Sequence, residues 1–144
     1  MLGSLGGLAA VTGAPFLFPS LGPTAFLLLE LPDAPAASPR NSITGHALGV
    51  LAGLSSLALI GLLDAPSALE VGVSAPRALA GGLSLGMTSA AMILLRRVHP
   101  PAGATTLLVS LGLMTSLRDV GVLLAAVVLL ALFGRLLRRL MTTL

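Results

Sequence analysis

The sequence predicts an all-α integral membrane protein built from two inverted repeats, and three observations carry that prediction. Hydrophobic residues make up 56% of the 144 positions and charged residues only 9%, with a mean hydropathy of +1.05. That is too apolar for a soluble core wrapped in a polar surface. Five stretches carry little or no charge: Leu2 to Leu29, Asn41 to Leu63, Ala78 to Leu95, Val98 to Leu117 and Val120 to Gly134. Two of the five, the first and the fourth, are punctured by proline and glycine in a matching pattern.

Each element follows from helix geometry. At about 1.5 Å per residue, a helix needs roughly 20 residues to cross the hydrocarbon core. The first stretch begins as an unbroken apolar run, which predicts a span. It is then interrupted by GAPFLFPSLGPT (Gly13 to Thr24) and continues as a short helix over Ala25 to Leu31. Asn41 to Leu63 and Ala78 to Leu95 are ordinary spans. The fourth stretch breaks at HPPAGATT (His99 to Thr106) and leaves a short helix over Thr106 to Thr115. Val120 to Gly134 spans if Arg135 snorkels to the interface. The expected plan is therefore four full spans plus two short half-helices in one transmembrane domain, 1–144, with halves at about 1–63 and 76–144.

The two breaks share Pro-x-x-Gly-x-Thr, as Pro19 to Thr24 and Pro100 to Thr105, and an arginine opens the following span in each half, Arg40 and Arg118. With three crossings per half and a cytoplasmic N-terminus, Arg40, Arg96, Arg97, Arg135, Arg138 and Arg139 fall inside, and Arg77 and Arg118 fall outside with Asp64, Glu70 and Asp119. That distribution obeys the positive-inside rule, and three crossings per half invert the second half relative to the first. The first run has no charged leader and no small-residue cleavage site, so it is expected to be retained.

PSLGPTAFLL (Pro19 to Leu28), PRNSITGHALG (Pro39 to Gly49) and HPPAGATTLL (His99 to Leu108), in this order and spacing, resemble the integral membrane proteins of the HPP family. The likeness covers almost the whole chain. It departs at Pro23, where many relatives carry a small residue. Members are usually described with four transmembrane segments, and some plastid and cyanobacterial relatives are associated with nitrite transport. The resemblance thus implies transport of a small anion, with nitrite as the substrate and a bacterial inner (plasma) membrane as the expected location.

The breaks suggest where a substrate would bind. A helix that starts inside the bilayer leaves backbone N–H groups to be satisfied, and these, with the positive end of the helix dipole, suit an anion. Pro100 and Pro101 stop the preceding helix, Gly103 permits close approach, and Thr105 and Thr106 bring hydroxyls to the new N-terminus. Ser20, Gly22 and Thr24 occupy the matching places in the first half. His46 and His99 can exchange a proton near neutral pH or donate hydrogen bonds to an anion, or each can simply satisfy a carbonyl freed by a neighbouring Pro or Gly. Arg40 is an entry-side attractant or an interfacial anchor. Glu30 and Asp33 border the same face as Arg40, where an interfacial ion pair is expected. The basic end at Arg135, Arg138 and Arg139 suits anionic lipid headgroups.

Glycines at four-residue spacing, Gly45-Gly49-Gly53 and Gly82-Gly86, let helices approach closely, within the chain or between subunits. A chain this small has little room for a solvated path, so a homo-oligomer is expected. Two histidines without cysteine or an intramembrane carboxylate make a poor metal site, and no cofactor or nucleic-acid partner is expected. The leading function is a membrane channel or transporter for a small inorganic anion; the alternative is a non-transporting subunit or sensor that binds a lipid or protein partner. An intramembrane enzyme ranks last, because no nucleophile is paired with a base.

Overall fold

In the computed structural model, residues 2–14 and 16–141 are described, and among them the chain forms seven α-helices. These are α1 (Leu2–Thr12), α2 (Leu21–Glu30), α3 (Pro39–Ile60), α4 (Ala68–Val71), α5 (Ala75–Leu94), α6 (Ala102–Ser110) and α7 (Leu117–Met141), with a 3-10 turn at Pro35–Ala37.

Local chemistry explains the boundaries. Ser38 and Ser74 cap α3 and α5 by accepting the N–H of Asn41 (3.2 Å) and of Arg77 (3.4 Å), and each cap is followed by a proline in the first turn. Gly61 and Gly112 end α3 and α6 in the left-handed conformation, with six-residue backbone bonds from Leu62 to Leu57 (2.8 Å) and from Leu113 to Leu108 (3.0 Å). The end of α5 adopts the same motif with Arg96 at φ 53° in the place usually held by glycine, and the Arg97 N–H reaches the Met92 carbonyl at 2.8 Å.

Among the described residues three helices, α3, α5 and α7, are long and apolar enough to cross a membrane, where the sequence predicted four full spans. The difference lies in α1, whose 11 residues reach only about 16 Å. Thr12 Oγ1 donates back to the Leu8 carbonyl (2.7 Å) and Gly13 turns left-handed (φ 64°), so the residues that would have completed a span belong to the break. The short helix α4 in the join was not anticipated. Ser67 starts it, donating through both its backbone N–H and its hydroxyl to Glu70 Oε1 (3.3 and 2.6 Å). These bonds hold the exposed Glu70 carboxyl below the usual carboxylate range.

α3 is the centre of the packing, touching α5, α6 and α7. Its glycine stripe seats α6: a Cβ at Gly45 would lie 2.8 Å from His99 Cβ, one at Gly49 would lie 2.9 Å from Thr106 Oγ1, and one at Gly53 would lie 2.6 Å from Val109 Cβ. The stripe therefore serves packing within the chain. The Gly82 and Gly86 positions on α5 meet nothing within 4 Å. α2 packs instead on α7, where Leu28 side-chain carbons lie 3.2 Å from the place a Gly134 Cβ would occupy. Leu21, Leu57, Leu123 and Leu130 are fully buried among these helices. Leu59, Ile93, Leu94 and Leu132 are exposed, as a lipid-facing surface requires.

Helix directions follow from contacts at the ends. Asn41 Nδ2, at the start of α3, donates to the Pro35 carbonyl (2.9 Å) and to the Val98 carbonyl past the end of α5 (3.4 Å). Arg138, late in α7, pairs with Asp33 and donates to the Pro32 carbonyl (3.0 Å). Hence α3 starts where α5 and α7 finish, and the six arginines predicted to share one side gather at that end. At the opposite end Arg77 is only 3% exposed and donates to the carbonyls of Pro66 (2.6 Å), Ala65 (3.2 Å) and Ser110 (3.5 Å).

Candidate functional site

Below the start of α3, a fully buried polar cluster joins both breaks. His46 lies about 10 Å along α3 from Pro39. One turn earlier Ser42 shares its face, because residues four apart align on a helix. Thr24 and Thr105 are the fourth residues of α2 and α6, so the two Pro-x-x-Gly-x-Thr motifs deliver equivalent hydroxyls.

The geometry is specific. Thr24 Oγ1 lies 2.9 Å from His46 Nε2 and 3.3 Å from His99 Nε2. Thr105 Oγ1 lies 2.7 Å from His46 Nδ1, so His46 is clasped between the two motif threonines. His99 Nδ1 lies 2.8 Å from the Ala36 carbonyl and 3.4 Å from Ser42 Oγ. The imidazole centroids are 5.1 Å apart, with planes inclined at 58°. Both histidines, both threonines and Ser42 have no exposed surface. Ser20, at the start of α2, is equally buried, and its hydroxyl has no hydrogen-bond partner. α6 runs along α3 toward the Arg77 end, while α2 runs toward Leu31 and the start of α3, so the two short helices point away from the cluster with their N-terminal turns facing it.

Of the residues singled out from the sequence, Ser20, Thr24, His46, His99 and Thr105 lie at this cluster. Gly22, Pro100 and Pro101 line a cleft of about 730 Å³ beside it, together with Pro23, Phe26 and Ala104. Three residues lie elsewhere. Thr106 turns to Thr88 of α5 (2.9 Å) and to its own Ala102 carbonyl (3.0 Å), because it is one residue, about 100° of helix, past Thr105. Gly103 faces α5, where an added Cβ would meet only Leu85 at 3.7 Å, an ordinary contact, so no neighbouring helix presses on it. Arg40 is exposed and shares a pocket of about 440 Å³ with Arg135, Arg138 and Arg139. Asp33 pairs with Arg138 rather than with Arg40.

The threonines do not cap their helices. The N-cap positions, Ser20 and Pro101, make no side-chain cap bond, and the Thr24 hydroxyl instead reaches back to the Ser20 carbonyl (3.2 Å). The first N–H groups of α6, on Ala102, Gly103 and Ala104, already donate to His99, Pro100 and Pro101 carbonyls at 3.0–3.2 Å. The backbone donors expected to face a substrate are therefore occupied in α6, and hydroxyls and imidazoles line the site in their place. Ser42, the Ala36 carbonyl and Asn41 were missed. Ser42 was detectable from its four-residue spacing to His46, whereas the Ala36 contact joins residues 63 apart and has no local signal.

Comparison with known proteins agrees with this picture at the level of family. No solved structure matches the chain. It is similar to a transmembrane protein of Dictyostelium discoideum, at 30% identity over 93 residues; the match spans 65% of this chain and 27% of that relative's length. The family described as "HPP, transmembrane region" matches residues 1–143. The chain therefore belongs to the HPP family of transmembrane proteins.

Proposed function

We propose that the chain is a membrane channel or transporter for a small inorganic anion, nitrite being the member of that class we favour. The observation that carries the reading is the buried Thr24–His46–His99–Thr105 cluster where the N-terminal turns of α2 and α6 converge. Both helix dipoles present their positive ends there, which favours negative charge. The unpartnered Ser20 hydroxyl is a donor an anion would take. On this reading passage requires parting Thr24 from His99, the 3.3 Å contact that joins α2 to the second break.

The same reading includes the inverted repeat and assembly of several copies. In support of the repeat, each short helix packs on the long helix of the other half, α2 on α7 and α6 on α3, and α3 meets α7 between them. α1 would then be a shortened counterpart of α5. In support of assembly, the Gly82–Gly86 stripe faces nothing in this chain and suits close approach by a second copy. Transport, rather than catalysis, is the activity we assign, at the inner membrane of a bacterium.

Nitrite uptake into proteoliposomes, with protein-free vesicles subtracted because nitrous acid crosses lipid unaided, tests the function. Protein-dependent uptake that nitrate or chloride competes with is expected. Uptake indistinguishable from empty vesicles would overturn transport and favour a non-transporting subunit.

A further inference from the structure

The cluster contains two bases and a single rotatable hydroxyl between them, and counting donors and acceptors fixes its protons. The Ala36 carbonyl can only accept, so His99 carries its proton on Nδ1 (2.8 Å). In the neutral ring His99 Nε2 is then bare and needs a donor. Thr24, at 3.3 Å, is the hydroxyl placed to give one. Thr24 has one proton, so its contact with His46 Nε2 (2.9 Å) requires His46 to donate through Nε2. His46 Nδ1 is then bare and accepts from the Thr105 hydroxyl (2.7 Å). With the short bond to the Ala36 carbonyl kept, this is the assignment that satisfies all four imidazole nitrogens; the reverse, with Ser42 (3.4 Å) donating to His99 Nδ1, gives that bond up. The chain runs in one direction: Thr105 to His46, His46 to Thr24, Thr24 to His99, His99 to Ala36.

We propose that His46, Thr24 and His99 form a proton relay that passes a proton from His46 to His99 as an anion enters the site, an inference that rests on the anion route proposed above. A proton arriving at His46 Nδ1 makes that ring an imidazolium. His46 then releases its Nε2 proton to Thr24 Oγ1 while Thr24 passes its own hydroxyl proton to His99 Nε2. One proton enters, two bonds to hydrogen break and two form behind it, and the positive charge ends on His99 with every heavy atom in place. Thr105 then accepts from His46 Nδ1–H, and Thr24 donates to His46 Nε2. The Ser20 carbonyl, 3.2 Å from Thr24 Oγ1, offers that hydroxyl a second acceptor once His99 Nε2 is protonated. The site thus holds an acceptor for the Thr24 proton in both charge states.

Charge balance is the reason to couple the two ions. An anion buried without a countercharge is strongly disfavoured. Among the described residues no permanently charged side chain hydrogen-bonds the pair. Glu30 of α2, Asp33 before the 3-10 turn, Arg40 of α3, Arg96 past α5, and Arg118, Arg135, Arg138 and Arg139 of α7 are exposed, Arg97 beside Arg96 and Asp119 of α7 are half-buried, and Arg77 of α5 is engaged at the far end. α6 and the 3-10 turn carry no charged residue. The two histidines are the groups that can become positive at the anion. With centroids 5.1 Å apart they repel when both are charged, so the pair takes up one proton beyond its neutral state at a time.

Two measurements test the relay. Nitrogen-15 NMR of histidine-labelled protein in micelles at pH 8, with His46→Gln and His99→Gln used to assign the signals, should show Nε2–H on His46 and Nδ1–H on His99. The opposite tautomer on either ring would overturn the hydrogen-bonded chain, whatever the protein transports. In proteoliposomes at pH 8 carrying an internal pH dye, nitrite uptake above the protein-free background should bring protons with it at a fixed ratio. Thr24→Ser should keep that ratio and Thr24→Val, of similar shape but without the hydroxyl, should lose it, whatever happens to the rate. Uptake by the parent without protons, or an unchanged ratio in Thr24→Val, would overturn coupling and leave the anion route standing. Absence of nitrite uptake would overturn the route itself.

Discussion

Gly53→Ala is the substitution whose effect follows most directly from the packing of α6 on α3. An added Cβ would sit 2.6 Å from Val109 Cβ and 2.7 Å from its Cγ1, where carbon atoms ordinarily rest about 3.5–4.0 Å apart. The helices must separate by about 1 Å. Overpacking of that kind costs about 1–3 kcal/mol, against a gain of about 1 kcal/mol from replacing glycine by alanine in a helix interior. The net expectation is a loss of up to about 2 kcal/mol, with Gly82→Ala, which meets nothing within 4 Å, as the control that shows the helix gain alone. The same 1 Å displacement would carry Thr105 from 2.7 Å to beyond hydrogen-bonding reach of His46, so histidine NMR shifts should move with stability. Thermal unfolding in detergent gives the stability difference, and a cycle with Val109→Gly isolates the contact: the double variant should recover about 1–3 kcal/mol relative to the sum of the single changes. Equal melting temperatures for Gly53→Ala and Gly82→Ala, or no coupling in the cycle, would refute the seating of α6 on Gly53.

Other substitutions have equally definite outcomes. Arg96→Gly removes a side chain from a left-handed position (φ 53°) and should raise stability by about 1 kcal/mol, seen as a higher melting temperature. Gly103→Ala meets only Leu85 at 3.7 Å and should leave folding and anion uptake at parental levels; lost uptake would return Gly103 to the site. Arg77→Met strips the donors from three carbonyls and should destabilise by on the order of 3 kcal/mol in the same unfolding assay. Ser67→Ala should return the Glu70 carboxyl toward its ordinary value in an NMR titration. Because that carboxyl titrates low in the folded protein, its contribution is full above the usual carboxylate range and fades as pH falls through the depressed value.

Several features of the fold were legible because they depend on local chemistry. The breaks at Pro19 to Thr24 and His99 to Thr105 could be placed from residue type, since proline and glycine stop helices by backbone sterics alone. Their equivalence extended to the fourth-position threonines that clasp His46. The partners of those threonines were not legible: a hydroxyl one turn inside a helix chooses among partners supplied by other helices, and α3 supplied His46. Among the described residues a fourth full span is not found, for a related reason. Hydropathy counts apolar residues in Leu2 to Leu29 but does not sense that Gly13 turns left-handed just past the end of α1. Arg77 looked like a marker of the outer face, yet it is buried because the carbonyls of Ala65, Pro66 and Ser110 converge on it, a tertiary arrangement with no trace in sequence spacing.

The Arg77 contacts also set the mechanics of α6. Its far end is pinned, since the guanidinium grips the Ser110 carbonyl and crowds Gly112, where a Cβ would lie 3.0 Å from Nη1. Its near end is tethered to the cluster by single hydroxyl contacts. The glycines of α3 offer a flat bed along which the helix meets no ridge. In the proposed transporter, a nine-residue rod about 13 Å long held at its far end would act as a lever with Arg77 at the fulcrum. A tilt of about 10° there sweeps Ala102 through about 2 Å, enough to release Thr105 from His46. The stroke that would open the buried cluster on the proposed route is thus small, and its pivot sits at the end of the bundle opposite the gathered arginines.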